Sequence, residues 1–280
     1  MNKLNLFPYF GGKYKLASKL IAMFPEHHCY VDVFGGAGNV LIQKPPSKVE
    51  VFNDIDSDIV NLFRVLRTDF DRFHHLVKHI PFSREEYYAY KESMKNETDS
   101  VMRAAMWFAV TCQAFSGDKR GGWRFTKTNN EGRRFKNKVD RLHLVVDRLR
   151  EVQVENREFE FILDAYDDVD TFFYLDPPYI PDTRRHGGYK HEMTADAHER
   201  LVTILKGVQG KVLLSGYQHE IYDALDWQRF DIETTASSAG RTRTSGLQGE
   251  GNVKKKQKRV ESVWWNYDSL IESIYYSTHD

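Results

Sequence analysis

Short apolar runs and helix-spaced hydrophobic positions alternate along the chain, and their order predicts its elements. Cys29-Tyr30-Val31-Asp32-Val33-Phe34 is an apolar run that meets Gly35-Gly36-Ala37-Gly38, which reads as a strand entering a glycine turn. A helix opens next, around Val40. Val49-Glu50-Val51-Phe52 reads as a second strand, ending in Asn53-Asp54-Ile55-Asp56, and Ile59, Leu62, Phe63 and Leu66 then recur at helical spacing. Strand, crossover helix and strand imply a parallel sheet with helices over its faces.

From about Asp69 to Arg150 the strand-like runs stop. Tyr87-Tyr88 to Met94 and Val101 to Cys112 carry helical periodicity, so this segment is expected to be a helical insert. Its second half, Phe115 to Arg141, holds nine basic residues against three acidic ones and includes Gly117, Gly121, Gly122, Trp123 and Phe125, the pattern of a basic loop with aromatics. Strand-like runs resume at Val152-Gln153-Val154, Thr171-Phe172-Phe173-Tyr174-Leu175 and Lys211-Val212-Leu213-Leu214-Ser215. Residues 236–259 are rich in Ser, Gly, Arg and Lys without an apolar period, which predicts a surface loop, and Val260 to Tyr267 returns as a strand. One α/β domain, residues 1–68 and 150–280, is thus expected to enclose an insert at 69–149.

Composition narrows the class. A chain of 280 residues with 41% hydrophobic positions can bury a core and does not have the composition of a disordered protein. Forty Lys and Arg balance forty Asp and Glu, so any attraction to a polyanion must be local. Two cysteines, Cys29 and Cys112, are too few for a disulfide framework or a thiolate zinc site and suit a reducing compartment. No run of about 18 apolar residues is present, so the expectation is a cytoplasmic protein that does not enter the membrane.

Three segments carry candidate chemistry. Phe34-Gly35-Gly36-Ala37-Gly38 follows a strand and precedes a helix, which makes its backbone N–H groups candidates for facing an anionic or carboxylate-bearing ligand. A dinucleotide fingerprint needs a third glycine where Leu41 stands, which argues against a nicotinamide cofactor. Asp54 ends the second strand, where an acidic side chain grips ribose hydroxyls in doubly wound sheets, although Asp54 or Asp56 also suits a helix cap. Asp176-Pro177-Pro178-Tyr179 ends an apolar strand, and its two prolines remove N–H donors and stiffen the turn. A carboxylate, a free carbonyl and an aromatic face are then held together. The trio suits a planar ring with an exocyclic amine: Asp176 and the Pro177 carbonyl accept its N–H bonds, and Tyr179 stacks on its face.

Taken in order, Pro8-Tyr9-Phe10-Gly11-Gly12-Lys13, Asp32 to Gly38, Asn53-Asp54-Ile55-Asp56 and Asp176 to Tyr179 resemble the motifs of the Dam-type, or D12 class, DNA adenine N6-methyltransferases. The resemblance covers nearly the whole chain. It implies an α/β fold, a Rossmann-like methyltransferase sheet with an inserted helical DNA-recognition domain, S-adenosyl-L-methionine as methyl donor and double-stranded DNA as partner. It also implies cofactor contacts from Tyr9, Lys13, Asp54 and Asp176, with Phe34, Gly36 and Gly38 of the glycine loop. Glu158 and Phe159 resemble the family's segment beside the cofactor adenine. The Lys13 ammonium is expected to pair with the methionyl carboxylate.

DNA contact then falls to local basic stretches: Lys119, Arg120, Arg124, Lys127, Arg133 and Arg134 in the insert, and Arg241, Arg243, Lys254 and Lys255 in the later loop. The stretch Ala114 to Phe125 departs from the Asn-rich pattern of GATC-specific members, which leaves the recognition sequence open. His74, His75 and His79 share a helical spacing without a supporting carboxylate or cysteine pattern, and no metal is expected. The Tyr87 to Tyr90 and Trp107-Phe108 clusters are expected to be helix packing. The same pocket chemistry reaches RNA adenine, the cytosine N4 amine or a protein amide, and a DNA-binding subunit without turnover is a further class.

Overall fold

A computed structural model of the chain describes residues 4–117, 121–180, 190–235 and 258–268. In chain order the elements are α1 (Ala17–Ile21), β1 (Cys29–Asp32), α2 (Asn39–Gln43), β2 (Val49–Asn53) and α3 (Ser57–Thr68). Five helices follow, α4 (Phe70–His79), α5 (Arg84–Ser93), α6 (Ser100–Gln113), α7 (Glu131–Asp140) and α8 (Leu142–Leu149). The chain then returns to the sheet through β3 (Gln153–Glu155), α9 (Phe159–Ala165), β4 (Thr171–Leu175), α10 (Ala195–Leu205), β5 (Lys211–Gly216), α11 (Glu220–Asp223), β6 (Gln228–Thr235) and β7 (Lys258–Trp265).

The seven strands form one Rossmann-like sheet in the order β3-β2-β1-β4-β5-β7-β6. The first five run parallel, and β7 lies antiparallel between β5 and β6. Every residue of the central strand β4 is buried, as a parallel strand covered on both faces requires. Side chains alternate between two apolar layers. Tyr30, Phe52, Phe172 and Leu213 pack on one face with α3, α6 and α8, while Val31, Val51, Phe173 and Val212 pack on the other with α9 and α10. The first layer is continuous from the sheet through Leu62 and Phe63 of α3 to Trp107 and Phe108 of α6, so the helices between α3 and β3 share the core of the sheet.

Local sequence explains the helix starts. Asp56 caps α3 by accepting from the Asp58 N–H at 3.0 Å, and Ile59, Leu62, Phe63 and Leu66 form its buried stripe. Asn130 caps α7 by accepting from the Arg133 N–H at 2.8 Å. Two elements depart from the sequence reading. The segment read as a basic loop to Arg141 is helical from Glu131 onward, because Phe135 and Val139, four residues apart among the cations, supply a buried face. Strand β6 carries no apolar pattern that marks it in the sequence, because Gln228–Thr235 is a sheet edge with few apolar residues, of which Ile232 is buried. None of the described helices is long and apolar enough to cross a membrane.

Candidate active site

Strand order reverses between β1 and β4, where an open α/β sheet leaves a crevice beyond its carboxyl ends. Asp32 pairs in register with Tyr174, and Asp176 follows two residues on, so all three belong to the same face of the sheet. A cleft there is lined by Tyr9 and Lys13 from the amino-terminal segment, by Phe34 and Gly36 from the glycine turn, and by Asp32 and Asp176. A larger concavity of about 600 Å³ lies between α3 and α8, beside Arg64, Arg67 and Arg150. The cluster of carboxylates is at the narrower cleft, whose interior is about 30 Å³.

Lys13 is buried and donates to Asp176 Oδ1, to the Tyr179 hydroxyl at 2.8 Å and to the Gly11 carbonyl at 3.4 Å. Its ammonium also lies 3.1 Å from Glu261 Oε1. Burial opposes the charged form, but Asp176 and Glu261 more than offset it and raise the Lys13 pKa well above its ordinary value. Lys13 is therefore an internal counter-ion to Asp176 and Glu261, where the sequence predicts a partner for a methionyl carboxylate. Ser215 of β5 donates to Asp176 Oδ1 at 3.3 Å, which leaves Oδ2 without a hydrogen-bond partner among the described residues. Burial raises the Asp176 pKa, with Lys13 pulling in the opposite direction.

Asp32 is the carboxylate that the sequence reading passed over. It is 2% exposed, and its Oδ1 has no hydrogen-bond partner among the described residues. Burial, together with Asp176 and Asp54, pushes its pKa well up, and the nearby Tyr30 hydroxyl offsets this only in part. Glu261 is the other omission. It stands on β7, is 4% exposed, and accepts from the Tyr179 hydroxyl at 3.2 Å and 3.1 Å on its two oxygens. Its signal in the sequence was a single acidic residue interrupting the apolar run of a strand.

The glycine turn departs from expectation. Gly36 and Gly38 have φ of +53° and +60°, in the left-handed region, and a Cβ on Gly36 would stand 2.9 Å from the Tyr9 ring. The turn's N–H groups do not form an open anion nest, because Gly35 donates to the Asn53 carbonyl, Gly36 to Asp54 Oδ2 and Gly38 to the Gly35 carbonyl, at 2.7 to 2.8 Å. Asp54 also accepts from the Asp56 N–H at 2.7 Å and so ties the turn to the end of β2, while Asp56 takes the cap. Asp54 is not among the residues lining the cleft. Neither are Glu158 and Phe159: Glu158 is exposed, and Phe159 is buried in the second apolar layer with its ring 5.8 Å from that of Phe34.

A family model for the D12 class N6 adenine-specific DNA methyltransferases matches residues 9–236. The chain belongs to that family. It is 26% identical to the type II methyltransferase M.MjaIII of Methanocaldococcus jannaschii, over 92% of this chain and 96% of that protein. It is 26% identical to the type II methyltransferase M1.LlaDCHI of Lactococcus lactis subsp. cremoris, over 88% and 94%, and 23% identical to the DNA adenine methylase of Haemophilus influenzae, over 81% and 85%.

In this D12 methyltransferase the helical segment packs on the amino-terminal segment that lines the cleft. Gly117, at φ +73°, sits so close to the amino-terminal motif that a Cβ would lie 2.8 Å from the Pro8 carbonyl oxygen. Of the basic residues singled out, Lys127 and Arg133 are exposed, and Arg134 is exposed while pairing with Glu131 at 2.8 Å. Arg124 is turned inward, donating to the Ala114 carbonyl at 3.1 Å and 3.3 Å and to Glu131 at 3.4 Å. Lys119, Arg120, Arg241, Arg243, Lys254 and Lys255 lie outside the described residues. Trp107, Phe108 and Tyr87 are buried, whereas Tyr88 is half exposed. Among the described residues no group of three or more His, Cys, Asp or Glu is arranged to hold a metal ion.

Proposed function

We propose that this D12 methyltransferase transfers a methyl group from S-adenosylmethionine to the exocyclic N6 of an adenine flipped out of duplex DNA. The observation that carries the reading is the excess of buried carboxylate at the β1–β4 crevice, where Asp176 and Glu261 share the ammonium of Lys13 and Asp32 stands beside Asp176. Buried carboxylates without matching cations are costly, and the raised pKa values of all three express that cost. A donor with a sulfonium and an α-ammonium meets this deficit, and Asp32 Oδ1 is a ready acceptor for the ammonium. The present interior of the cleft holds roughly one water molecule. Entry of the donor therefore requires the Tyr9 ring to draw back from Gly36, with Lys13 left on Asp176.

When bound, S-adenosylmethionine supplies an electrophilic methyl group on sulfur. The protein's own task is to make a delocalised amine nucleophilic. Asp176 Oδ2 accepts one N–H of the amine and the Pro177 carbonyl accepts the other, and both bonds strengthen as positive charge develops on nitrogen. Lys13 and Ser215, by holding Oδ1, fix the direction in which Oδ2 accepts. Pro178 keeps the turn stiff, and the rings of Tyr179 and Tyr217, 4.4 Å apart, form a wall for the extruded base. Residues 69–149 serve target recognition, with Lys127, Arg133 and Arg134 on phosphates.

Incubation with methyl-labelled S-adenosylmethionine and duplex DNA should place label in DNA that digests to N6-methyladenine. Label recovered in cytosine, or only in RNA or protein, would overturn the reading.

A further inference from the structure

A buried glutamate beside an ion pair that already balances needs a physical reason. Lys13 and Asp176 neutralise each other, yet Glu261 is brought in from β7 to the same ammonium. Its neighbours on that face of β7, Val263 and Trp265, belong to the apolar core, and a hydrophobic residue in its place would avoid the desolvation cost of a second carboxylate. Fold stability therefore does not account for it. Its contacts do point to a task. Both of its oxygens accept from the Tyr179 hydroxyl, and Lys13, which lies 4.9 Å from the centre of the Tyr179 ring, is shared between Glu261 and a single oxygen of Asp176.

We propose that Glu261 is a positioning residue for methyl transfer: it holds Lys13 and Tyr179 back so that Asp176 keeps Oδ2 open toward the substrate amine. The inference rests on the function proposed above and deepens it. Without the Glu261 charge, Lys13 is drawn toward Asp176 alone, an ammonium competes with the amine for the same carboxylate, and the Tyr179 ring loses its hydroxyl anchor. Asp176 is faced by Lys13 from the amino-terminal segment, Asp32 from β1, Tyr174 from β4, Tyr222 from α11 and Glu261 from β7. Glu261 and Asp32 are the like charges in that set, and Glu261 is not itself one of the residues that line the cleft.

The test uses the full chain with Glu261→Gln and Glu261→Asp. For Glu261→Gln, single-turnover methylation of duplex DNA should slow by about 10- to 100-fold. The Kd for S-adenosylmethionine should change by less than about threefold, since the lost contacts orient groups rather than hold the donor. In the ligand-free protein the Asp176 carboxyl, followed by carbon NMR, should titrate at lower pH than in the wild type, because a neighbouring negative charge is gone. Glu261→Asp keeps the charge and should restore the wild-type titration while recovering only part of the rate. A rate and a titration equal to wild type in Glu261→Gln would overturn the inference, as would a loss confined to donor affinity. If the glutamine variant does not fold, the aspartate variant decides: a slowed rate at unchanged donor Kd supports the role, and a wild-type rate sinks it. A wild-type enzyme that does not methylate adenine defeats the proposed function itself, whereas a working enzyme indifferent to both variants defeats only the role of Glu261.

Discussion

Two buried ion clusters stand at opposite ends of the sheet, and they are built on opposite principles. Near the amino end of β2, Glu50 receives Lys44 on Oε1, Arg148 on both oxygens at 2.6 and 2.8 Å, and the Ser47 N–H at 3.1 Å. Two cations surround one carboxylate, and Arg148 and Lys44 outweigh the effect of burial to lower its pKa. At the carboxyl ends of β1 and β4 the ratio is inverted: Asp176 and Glu261 share one ammonium with Asp32 beside them, the pKa values of all three rise, and Asp32 Oδ1 and Asp176 Oδ2 have no hydrogen-bond partner among the described residues. The first cluster satisfies both oxygens of its carboxylate and fastens α2 and α8 to the sheet. The second leaves carboxylate oxygens open, and on the function proposed above a cation and a hydrogen-bond donor from outside the chain complete it.

The strongest way to break this contrast is Asp176→Ala. Methyl transfer should fall by about a thousandfold or more, with thermal unfolding little changed because Lys13 keeps Glu261. A folded variant that turned over normally would remove Asp176 from the mechanism. Glu50→Gln should do the reverse. It strands two buried cations and should cost about 3–5 kcal/mol in urea unfolding, while activity per folded molecule stays near wild type. Asp32→Asn sharpens the comparison from the other side. Calorimetric titration should show a Kd for S-adenosylmethionine raised about 10- to 100-fold, roughly 1.4 to 2.8 kcal/mol, with stability unchanged or higher because a desolvated carboxylate is gone.

Acidification should separate the two clusters without any mutation. The Glu50 carboxylate titrates lower in the folded state, so the stability it contributes is present above its unfolded pKa of about 4.3 and is lost only as pH falls through its folded value. Asp176 titrates higher in the folded state, so it takes up a proton first, which removes the acceptor while favouring the folded form. Initial methylation rates should therefore collapse at a higher pH than circular dichroism does, and a coincident loss would mean that both clusters are structural. The smallest effect is expected at the DNA surface. Lys127→Ala and Arg133→Ala should each weaken duplex binding by a few fold and reduce the salt dependence of log K by about one unit.

The motifs were legible because each is contiguous, and three of the four stand at the end of a strand that announces itself. A run such as Thr171 to Leu175 is apolar throughout only if it is covered on both faces, and Asp176 then stands at a carboxyl end without further argument. The exchange of roles between Asp54 and Asp56 could be foreseen in outline, since a helix start needs one cap, but the sequence does not reveal that the other carboxylate would be taken up by the glycine turn. Phe159 shows the opposite limit: its neighbourhood suited a ligand wall, and packing placed it in the core.

Period and punctuation alone determined the parallel sheet, the glycine turn and the rigid acidic corner after β4, because these follow from backbone sterics and from which residues can leave water. Tertiary structure decided the partners. Lys13 and Asp176 are 163 residues apart and Tyr179 and Glu261 are 82 apart. The number of carboxylates meeting one ammonium depends on how a late antiparallel strand slots in beside β5, and local sequence carries no record of that arrangement.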